Sequence, residues 1–267
     1  MYTRTVSDAR ATTVPDQTRS RRFDAIICDI DGCLCPEDSG PMDAAALTTI
    51  AEHNRLAQSL GDRPVLTLCS GRPQPFVEAI CRLIGNATLP CVAENGVWIY
   101  HPASNRYEMD PRITPDHLDL VNEAWRWIDG RFGSEGVVAQ PGKAAAISLF
   151  HADTAFLRSI VPKIQAHFKG RAWPMRVSMT WLYINCDLSF VSKASALDRL
   201  MEQTGLTRDR CAGIGDTPAD LAIADRVARF ACPANAHEQI RQRADLVATR
   251  PEAAGVVEII GQIESAG

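Results

Sequence analysis

The sequence has no apolar run long enough to cross a membrane and no large excess of one charge. A membrane-spanning helix needs about 20 consecutive apolar residues, so we expect no membrane partner. The formal net charge of −4 gives no electrostatic reason to expect a nucleic acid as a partner. The remaining composition, 46% hydrophobic and 22% charged over 267 residues, is that of an ordinary globular protein with room for more than one domain.

The sequence also lacks a Cys-x-x-Cys pair, although it contains nine cysteines. Cys33 and Cys35 are separated only by Leu34, a spacing that is poor for zinc, and no histidine-rich segment accompanies them. Because the cysteines are scattered along apolar segments, we predict reduced thiols in a cytoplasmic protein.

The N-terminal residues 1–21 lack the apolar stretch of a signal peptide. Their arginine, serine and threonine content is faintly like that of an organelle transit peptide, but Asp8 and Asp16 argue against that interpretation. We predict a disordered tail over residues 1–21.

What the chain does contain, from residue 23 onward, is an alternation of short apolar runs with helix-like segments such as 42–60. The runs are FDAIICD, PVLTLCS, CAGIG, RVARFAC and ADLVAT. Strands that are apolar on both faces and alternate with helices are typical of a parallel sheet covered on each side. We therefore predict a doubly wound α/β core formed by residues 22–96 and 189–267.

Residues 97–188 do not follow this alternation, which predicts a separate α+β module inserted into the core. We expect a hairpin after Glu94, helices over 114–128 and 154–168, and strands at AAAISLFH, MRVSM and WLYINC. All five tryptophans lie in this segment, and we expect most of them to fill its core rather than to cover a ligand site.

Two acids, Asp29 and Asp31, stand at the carboxyl end of the first buried run and precede Gly32. Ligand sites of open α/β sheets lie beyond the carboxyl ends of the strands. Two carboxylates this close are costly unless a cation neutralises them, and a hard, oxygen-preferring ion such as Mg²⁺ would do so. The pattern alone is weak evidence, because nucleotide-binding folds use the same arrangement.

Further polar residues follow other buried segments and would reach the same edge of the sheet. They are Ser70, Lys193, Asp216 and Asp220. Each has a simple structural explanation as a turn residue, a solvated lysine or a helix cap. Their occurrence together favours a site that binds phosphate and a metal ion.

In these residues the chain resembles the haloacid dehalogenase-like phosphatase superfamily, whose four motifs occur here in order as DIDGCL, the serine of CSGRP, the lysine of SKASAL, and GDTPAD. The middle module resembles the large α+β (type IIB-like) cap of the Cof-type and sugar-phosphate phosphatases, as do the segments AENGVWIY and ANAHEQIRQRADLVA. The resemblance covers nearly the whole chain after the tail and implies a Rossmann-like core with an inserted cap domain.

The resemblance implies a role for each motif residue. Asp29 is expected to be the nucleophile that forms an aspartyl-phosphate, and Asp31 the general acid and base. Mg²⁺ is expected on the Asp29 carboxylate, the Asp31 backbone carbonyl and Asp216. The residues expected to bind the phosphoryl group are Ser70, Gly71 and Lys193, and Asp220 is expected to orient Lys193 or metal-bound water.

Two residues depart from the family pattern. Cys33 stands where the family usually has threonine, at a position whose side chain we expect to support the site without taking part in the chemistry. Ala219 stands where many Cof-type members have asparagine, which removes a polar group near the metal and indicates a divergent branch.

The expected function is Mg²⁺-dependent hydrolysis of a small phosphate monoester, a phosphosugar or another phosphorylated metabolite. The alternatives are a phosphosugar mutase and a non-catalytic phosphoryl receiver; Asp31 and the inserted module argue against the receiver. Specificity should come from the module, where Lys143, Arg176 and Asn185 are candidates, although solvation at the surface explains each more simply. Homo-oligomerisation stays open.

Overall fold

The structure, a computed structural model, describes residues 21–265. The tail predicted for residues 1–21 therefore lies outside the described residues, apart from Arg21. Within the described part of the chain, no helix is both long and apolar enough to span a membrane.

The strands and helices of residues 21–265 follow the predicted alternation. In chain order the strands are β1 (Ala25–Cys28), β2 (Val65–Leu68), β3 (Cys91–Ala93), β4 (Trp98–His101), β5 (Arg106–Met109), β6 (Val138–Ala139), β7 (Ala146–Phe150), β8 (Met175–Met179), β9 (Tyr183–Leu188), β10 (Cys211–Ile214), β11 (Arg229–Cys232) and β12 (Leu246–Val247). The helices are α1 (Ala44–Leu60), α2 (Gln74–Leu83), α3 (Pro115–Phe132), α4 (Thr154–Gly170), α5 (Lys193–Thr204), α6 (Leu221–Ala224), α7 (Glu238–Arg243) and α8 (Glu252–Ser265).

The central sheet is parallel throughout, with the strand order β12-β11-β10-β1-β2. Successive side chains of β1 point to opposite faces. Ile26 and Cys28 pack in a cluster with residues of α1, α2 and α8, whereas Ala25 and Ile27 pack in a second cluster with residues of α5, α6 and α7. Helices thus cover both faces, which confirms the doubly wound α/β fold.

The helix ends next to the sheet are formed by short polar side chains and glycine. Helix α1 begins after Asp43, whose carboxylate accepts a hydrogen bond from the Ala46 N–H, and ends at Gly61 in the left-handed region. Helix α5 begins after Ser192, whose hydroxyl accepts from the Ser195 N–H. This cap fixes the first turn of α5, the turn that contains Lys193.

The β4–β5 hairpin packs with the core, although the sequence analysis assigned it to the inserted module. Strand β4 pairs with β3, and β3 approaches the central sheet through a bridge between Cys69 and Val92. The buried Ile99 and Tyr100 belong to the two clusters that cover the central sheet. The division at residue 97 stays a prediction, and this packing favours a first boundary near residue 110.

The rest of the middle segment is an antiparallel sheet, β6-β7-β9-β8, that packs with α3 and α4 around its own hydrophobic cluster. Four of the tryptophans pack against this cluster: Trp98, Trp125, Trp127 and Trp173. Trp181 differs, since it is 59% exposed on the loop between β8 and β9. Most of the tryptophans therefore fill a core, as expected.

Candidate active site

The carboxyl ends of β1, β2 and β10 and the first turn of α5 place the predicted motif residues at one edge of the central sheet. Asp29 follows β1, Ser70 follows β2, Asp216 follows β10, and Lys193 opens α5. Each of them is 6% exposed or less, as is Asp220. Buried polar groups at this density require partners, and their contacts define the site.

Lys193 lies between two carboxylates. Its Nζ is 2.9 Å from Asp29 Oδ2 and 2.7 Å from Asp220 Oδ1. The other oxygen of Asp220 accepts hydrogen bonds from the backbone N–H of Asp216 and from the N–H and hydroxyl of Thr217. Burial opposes ionisation, yet Lys193 and these hydrogen bonds hold the pKa of Asp220 below its ordinary value. Asp220 thus contacts Lys193, and its orienting role stays a prediction.

Asp29 and Asp216 form a second group of buried acids. Burial, with repulsion from Asp220 next, raises the pKa of Asp29 to about 8 and that of Asp216 to about 9. Oxygens of Asp29, Asp216 and Asp220 lie within 4.8 Å of one another. Two adjacent buried carboxylates with raised pKa values indicate a place for a cation.

The donor set and the backbone beside it fit a hard metal ion. Gly32 has a φ of +70°, and a Cβ added there would lie 2.0 Å from Asp216 Oδ2, so a side chain would displace that carboxylate. Asp220 is the most heavily engaged of these acids, because one oxygen contacts Lys193 and the other accepts three hydrogen bonds from the turn that begins at Asp216. Among the described residues, Asp29 Oδ1 accepts only the N–H of the next residue. Asp29 and Asp216 are therefore the carboxylates that fit a Mg²⁺ ion, and all their donor atoms are oxygens.

Arg72 is a site residue that the sequence analysis did not single out, although it stands in the CSGRP motif. Its Nε lies 2.8 Å from both carboxylate oxygens of Asp31, and its Nη2 also contacts Asp31 Oδ1. The Arg72 backbone N–H donates to the Ser70 hydroxyl at 3.2 Å. This fork holds the Asp31 carboxylate beside Asp29 but outside the Asp29–Asp216–Asp220 group.

A cavity of about 660 Å³ lies between the inserted module and the edge of the central sheet at which the motif residues meet. Asp29, Asp31 and Lys193 line it from the core. The three module candidates also line it: Lys143, Arg176 and Asn185. These six predicted residues, three from the core and three from the module, thus surround one space.

The module candidates differ in their contacts. Arg176 Nη2 lies 3.2 Å from Asp187 Oδ2 and donates to the Val191 carbonyl at 3.0 Å. The Lys143 ammonium donates to the Ser148 hydroxyl, which in turn donates to the Asn185 side-chain oxygen. Arg176 is consequently paired with a carboxylate, whereas Lys143 belongs to a chain of neutral polar groups.

Glu94 connects the core to the module through hydrogen bonds, and the sequence analysis did not identify it as a site residue. It and Asn95 both have a left-handed backbone, with φ values of 52° and 53°. Glu94 is fully buried, and its Oε1 accepts hydrogen bonds from the N–H groups of Ala144 and Ala145, each at 2.8 Å. Two strained residues in succession cost about 1–3 kcal/mol each and are typical of functional sites. Both residues lie in the segment AENGVWIY, whose resemblance to the Cof-type phosphatases was the one indication of them in the sequence.

Comparisons with known proteins agree with this geometry. A family model described as haloacid dehalogenase-like hydrolase matches residues 139–260. The phosphoglycolate phosphatase of Methanothrix thermoacetophila is 34% identical over 249 residues, which are 92% of this chain and 99% of that protein. That of Methanospirillum hungatei is 26% identical over 88% of this chain and 94% of its own length. A haloacid dehalogenase-like hydrolase from Bacteroides thetaiotaomicron has a similar fold, with a TM-score of 0.68 at 17% identity over 90% of this chain and 99% of that one.

The fold, the buried acid–lysine cluster and these relatives define an enzyme class, the phosphoric monoester hydrolases. The chain belongs to the haloacid dehalogenase-like hydrolase family. The comparisons support a phosphatase and lend no support to the mutase or the phosphoryl receiver.

Proposed function

We propose that the chain hydrolyses a small phosphate monoester through an aspartyl-phosphate on Asp29, with Mg²⁺ as its cofactor. The observation that carries the proposal is the Lys193 ammonium, which lies within 3 Å of both the Asp29 and Asp220 carboxylates in a buried site. Such a cation keeps a carboxylate nucleophile in place and offsets the charge of an incoming phosphoryl group.

The two chemical steps use residues of the core. In the first step, an Asp29 oxygen attacks phosphorus, the ester P–O bond breaks, and Asp31 gives its proton to the leaving oxygen. In the second step, water attacks the same phosphorus, its proton passes to Asp31, and the bond between Asp29 and phosphorus breaks. The phosphoryl oxygens are held by the Ser70 hydroxyl, the Gly71 backbone and Lys193 during both steps.

The residues proposed to hold Mg²⁺ are Asp29, Asp216 and the backbone carbonyl of Asp31. When bound, the ion supplies positive charge that offsets the phosphoryl oxygens and the paired acids. Asp220 stays with Lys193 in this assignment because Lys193 and three hydrogen bonds from the turn that begins at Asp216 already engage its two oxygens.

The names of the relatives make 2-phosphoglycolate the first candidate substrate, and a phosphosugar remains the alternative. The cavity volume of about 660 Å³ falls within the range of small-molecule sites and admits either. We assign the module, predicted as residues 97–188, to substrate selection, since Lys143, Arg176 and Asn185 face the cavity.

A reducing, cytoplasmic location is proposed from the cysteines. All nine are free and buried, which agrees with the reduced thiols predicted from the sequence.

The test replaces the nucleophile and follows the metal separately. Asp29→Asn should lose at least about 10³-fold in turnover of p-nitrophenyl phosphate, and wild type should give a phosphorylated Asp29 peptide by mass spectrometry. Asp119→Asn, an exposed acid on α3, is the matched control. Full activity of Asp29→Asn would place the nucleophile elsewhere.

For the metal, Mg²⁺ added to chelator-treated protein should raise the unfolding temperature, and Asp216→Asn should abolish the increase. Activity should be lost with the metal, and Ca²⁺ should inhibit because it favours more ligands at longer distances. Full activity after exhaustive removal of metal would contradict the assignment.

A further inference from the structure

The cavity wall carries cationic side chains from the core and from the module, and most of them already have a carboxylate partner. Arg72 pairs with Asp31, Arg176 with Asp187, and Lys193 with Asp29 and Asp220. Arg158 also lines the cavity, but it is exposed on α4. These cations are therefore either neutralised by a carboxylate or exposed to solvent.

Lys143 differs from these cations because its ammonium contacts only a neutral group. It donates to the Ser148 hydroxyl, and it makes no ion pair within residues 21–265. An ammonium has three N–H donors, so two remain for a ligand in the cavity. Ser148 gives its own proton to Asn185, and its oxygen is therefore left to accept from Lys143. This hydrogen-bonded chain holds a positive charge at the wall of the cavity that Asp31 also lines.

The electrostatic surroundings of Lys143 indicate an incomplete ion pair. Burial lowers the pKa of Lys143, and the charges of Asp187 and Glu94 offset that effect in part. The nearby Arg72 lowers this pKa further, and the Asp31 carboxylate raises it. A partly buried ammonium without a contacting anion is costly, and an anionic ligand beside it would restore the balance.

The loop that carries Lys143 is fixed to the core. The N–H groups of Ala144 and Ala145, which directly follow Lys143, donate to the buried Glu94 carboxylate. Glu94 itself follows β3, which is bridged at Val92 to the segment just after β2 that carries the phosphate-binding serine. A cation held this way keeps a defined position relative to the reacting phosphate, as recognition of a short molecule requires.

We propose that Lys143 binds an anionic group, a carboxylate or a second phosphate, on the part of the substrate that leaves with the ester oxygen, and that Glu94 positions its loop. The inference rests on the proposed phosphatase function and names the chemical class that this site selects. Phosphosugars whose leaving sugar is uncharged lack that group and should be poorer substrates.

The test uses two matched pairs of esters. The carboxylate pair is 2-phosphoglycolate and 2-hydroxyethyl phosphate, and the phosphate pair is fructose 1,6-bisphosphate and fructose 6-phosphate. Wild type should prefer the anionic member of one pair, and the pair that shows the preference identifies the group.

Lys143→Met should reduce that preference about 10–100-fold, chiefly through KM, which is the range for a lost hydrogen bond between charged groups. Lys143→Arg should restore part of it, and Lys163→Met, an exposed lysine of the same module, should not change it.

Three results would separate the possible failures. A wild type without preference in either pair, or a Lys143→Met variant that loses equally on both members, overturns the role of Lys143 while leaving the phosphatase intact. A wild type that cleaves no phosphate ester with Mg²⁺ overturns the proposed function instead. In that case calorimetric binding of the same esters, with and without Lys143→Met, decides on the anion site without turnover.

Discussion

The core side and the module side of the cavity, here called the core wall and the module wall, hold their lysines in opposite ways. On the core wall, Lys193 lies within 3 Å of two carboxylates, and Arg72 forms a fork on Asp31. On the module wall, the Lys143 ammonium ends a chain of neutral groups through Ser148 and Asn185. The core wall is built for the phosphoryl group, which every substrate of a phosphatase shares. The module wall offers an unneutralised charge, which suits the part of the substrate that varies.

This difference predicts how each wall should respond to mutation. Removing one member of a buried, paired cluster leaves another charge without compensation, so stability and activity should fall together. Changing Lys143 on the module wall should alter the choice of substrate at little cost in stability, because Lys143 has no ion-pair partner among the described residues that its removal would leave uncompensated.

The largest combined effect, on stability as well as on turnover, is expected from Lys193→Met, which leaves Asp29 and Asp220 facing each other without a cation. In metal-free buffer the free energy of unfolding should fall by about 3–5 kcal/mol, as it does when one partner of a buried ion pair is removed. Turnover should fall by about 10²–10³-fold, the effect of losing a group that stabilises transition-state charge. Urea unfolding and steady-state kinetics measure both.

The exposed Lys163→Met provides the control for Lys193→Met, and it should change stability by less than about 0.5 kcal/mol. The double variant Lys193→Met/Asp220→Asn should regain part of the lost stability, since it removes one of the two uncompensated charges. A loss for Lys193→Met no larger than that of the control would mean that the buried charges of the core wall do not depend on Lys193 for compensation.

An intermediate effect is expected from Asp31→Asn, and it should depend on the leaving group. Loss of a positioned acid costs about 10²–10⁴-fold on an alkyl phosphate, but less on p-nitrophenyl phosphate, whose leaving group needs little protonation. Asp38→Asn, an exposed acid in the same loop, is the control. Equal losses on both substrates would show that Asp31 does not protonate the leaving oxygen.

Much of the core wall could be predicted from the sequence because its residues follow buried strands. Parallel strands end at one edge of a sheet, so Asp29, Ser70 and Asp216 had to meet once the strands were recognised. The position of Lys193 followed from the start of a helix after the module. Local patterns therefore predicted that these four residues would lie together, whereas their distances and the contact of Arg72 with Asp31 needed the structure.

The contacts that join distant segments could not be predicted in this way. Arg72 meets Asp31 across 41 positions, and Glu94 meets Ala144 across 50. No periodicity encodes such pairs, and each side chain alone is explained by solvation. The β4–β5 hairpin was assigned to the module for a related reason: its strands were recognised, but the side of the molecule on which Ile99 and Tyr100 pack is a tertiary property.

The smallest effect should come from Glu94→Ala, which tests whether the two walls are mechanically joined. The change removes the acceptor of the Ala144 and Ala145 N–H groups and frees the loop that carries Lys143. Each hydrogen bond contributes about 0.5–1.5 kcal/mol, so the preference for the anionic ester should fall only about twofold to tenfold, mostly through KM.

Glu94→Gln keeps an oxygen in the accepting position and should retain most of the preference. Glu135→Ala, an exposed acid of the module, controls for the loss of charge. Hydrogen exchange at the Ala144 and Ala145 amides should accelerate in Glu94→Ala and remain slow in Glu94→Gln. If exchange accelerates while the preference is unchanged, Glu94 contributes only to folding, and the position of Lys143 does not depend on the core.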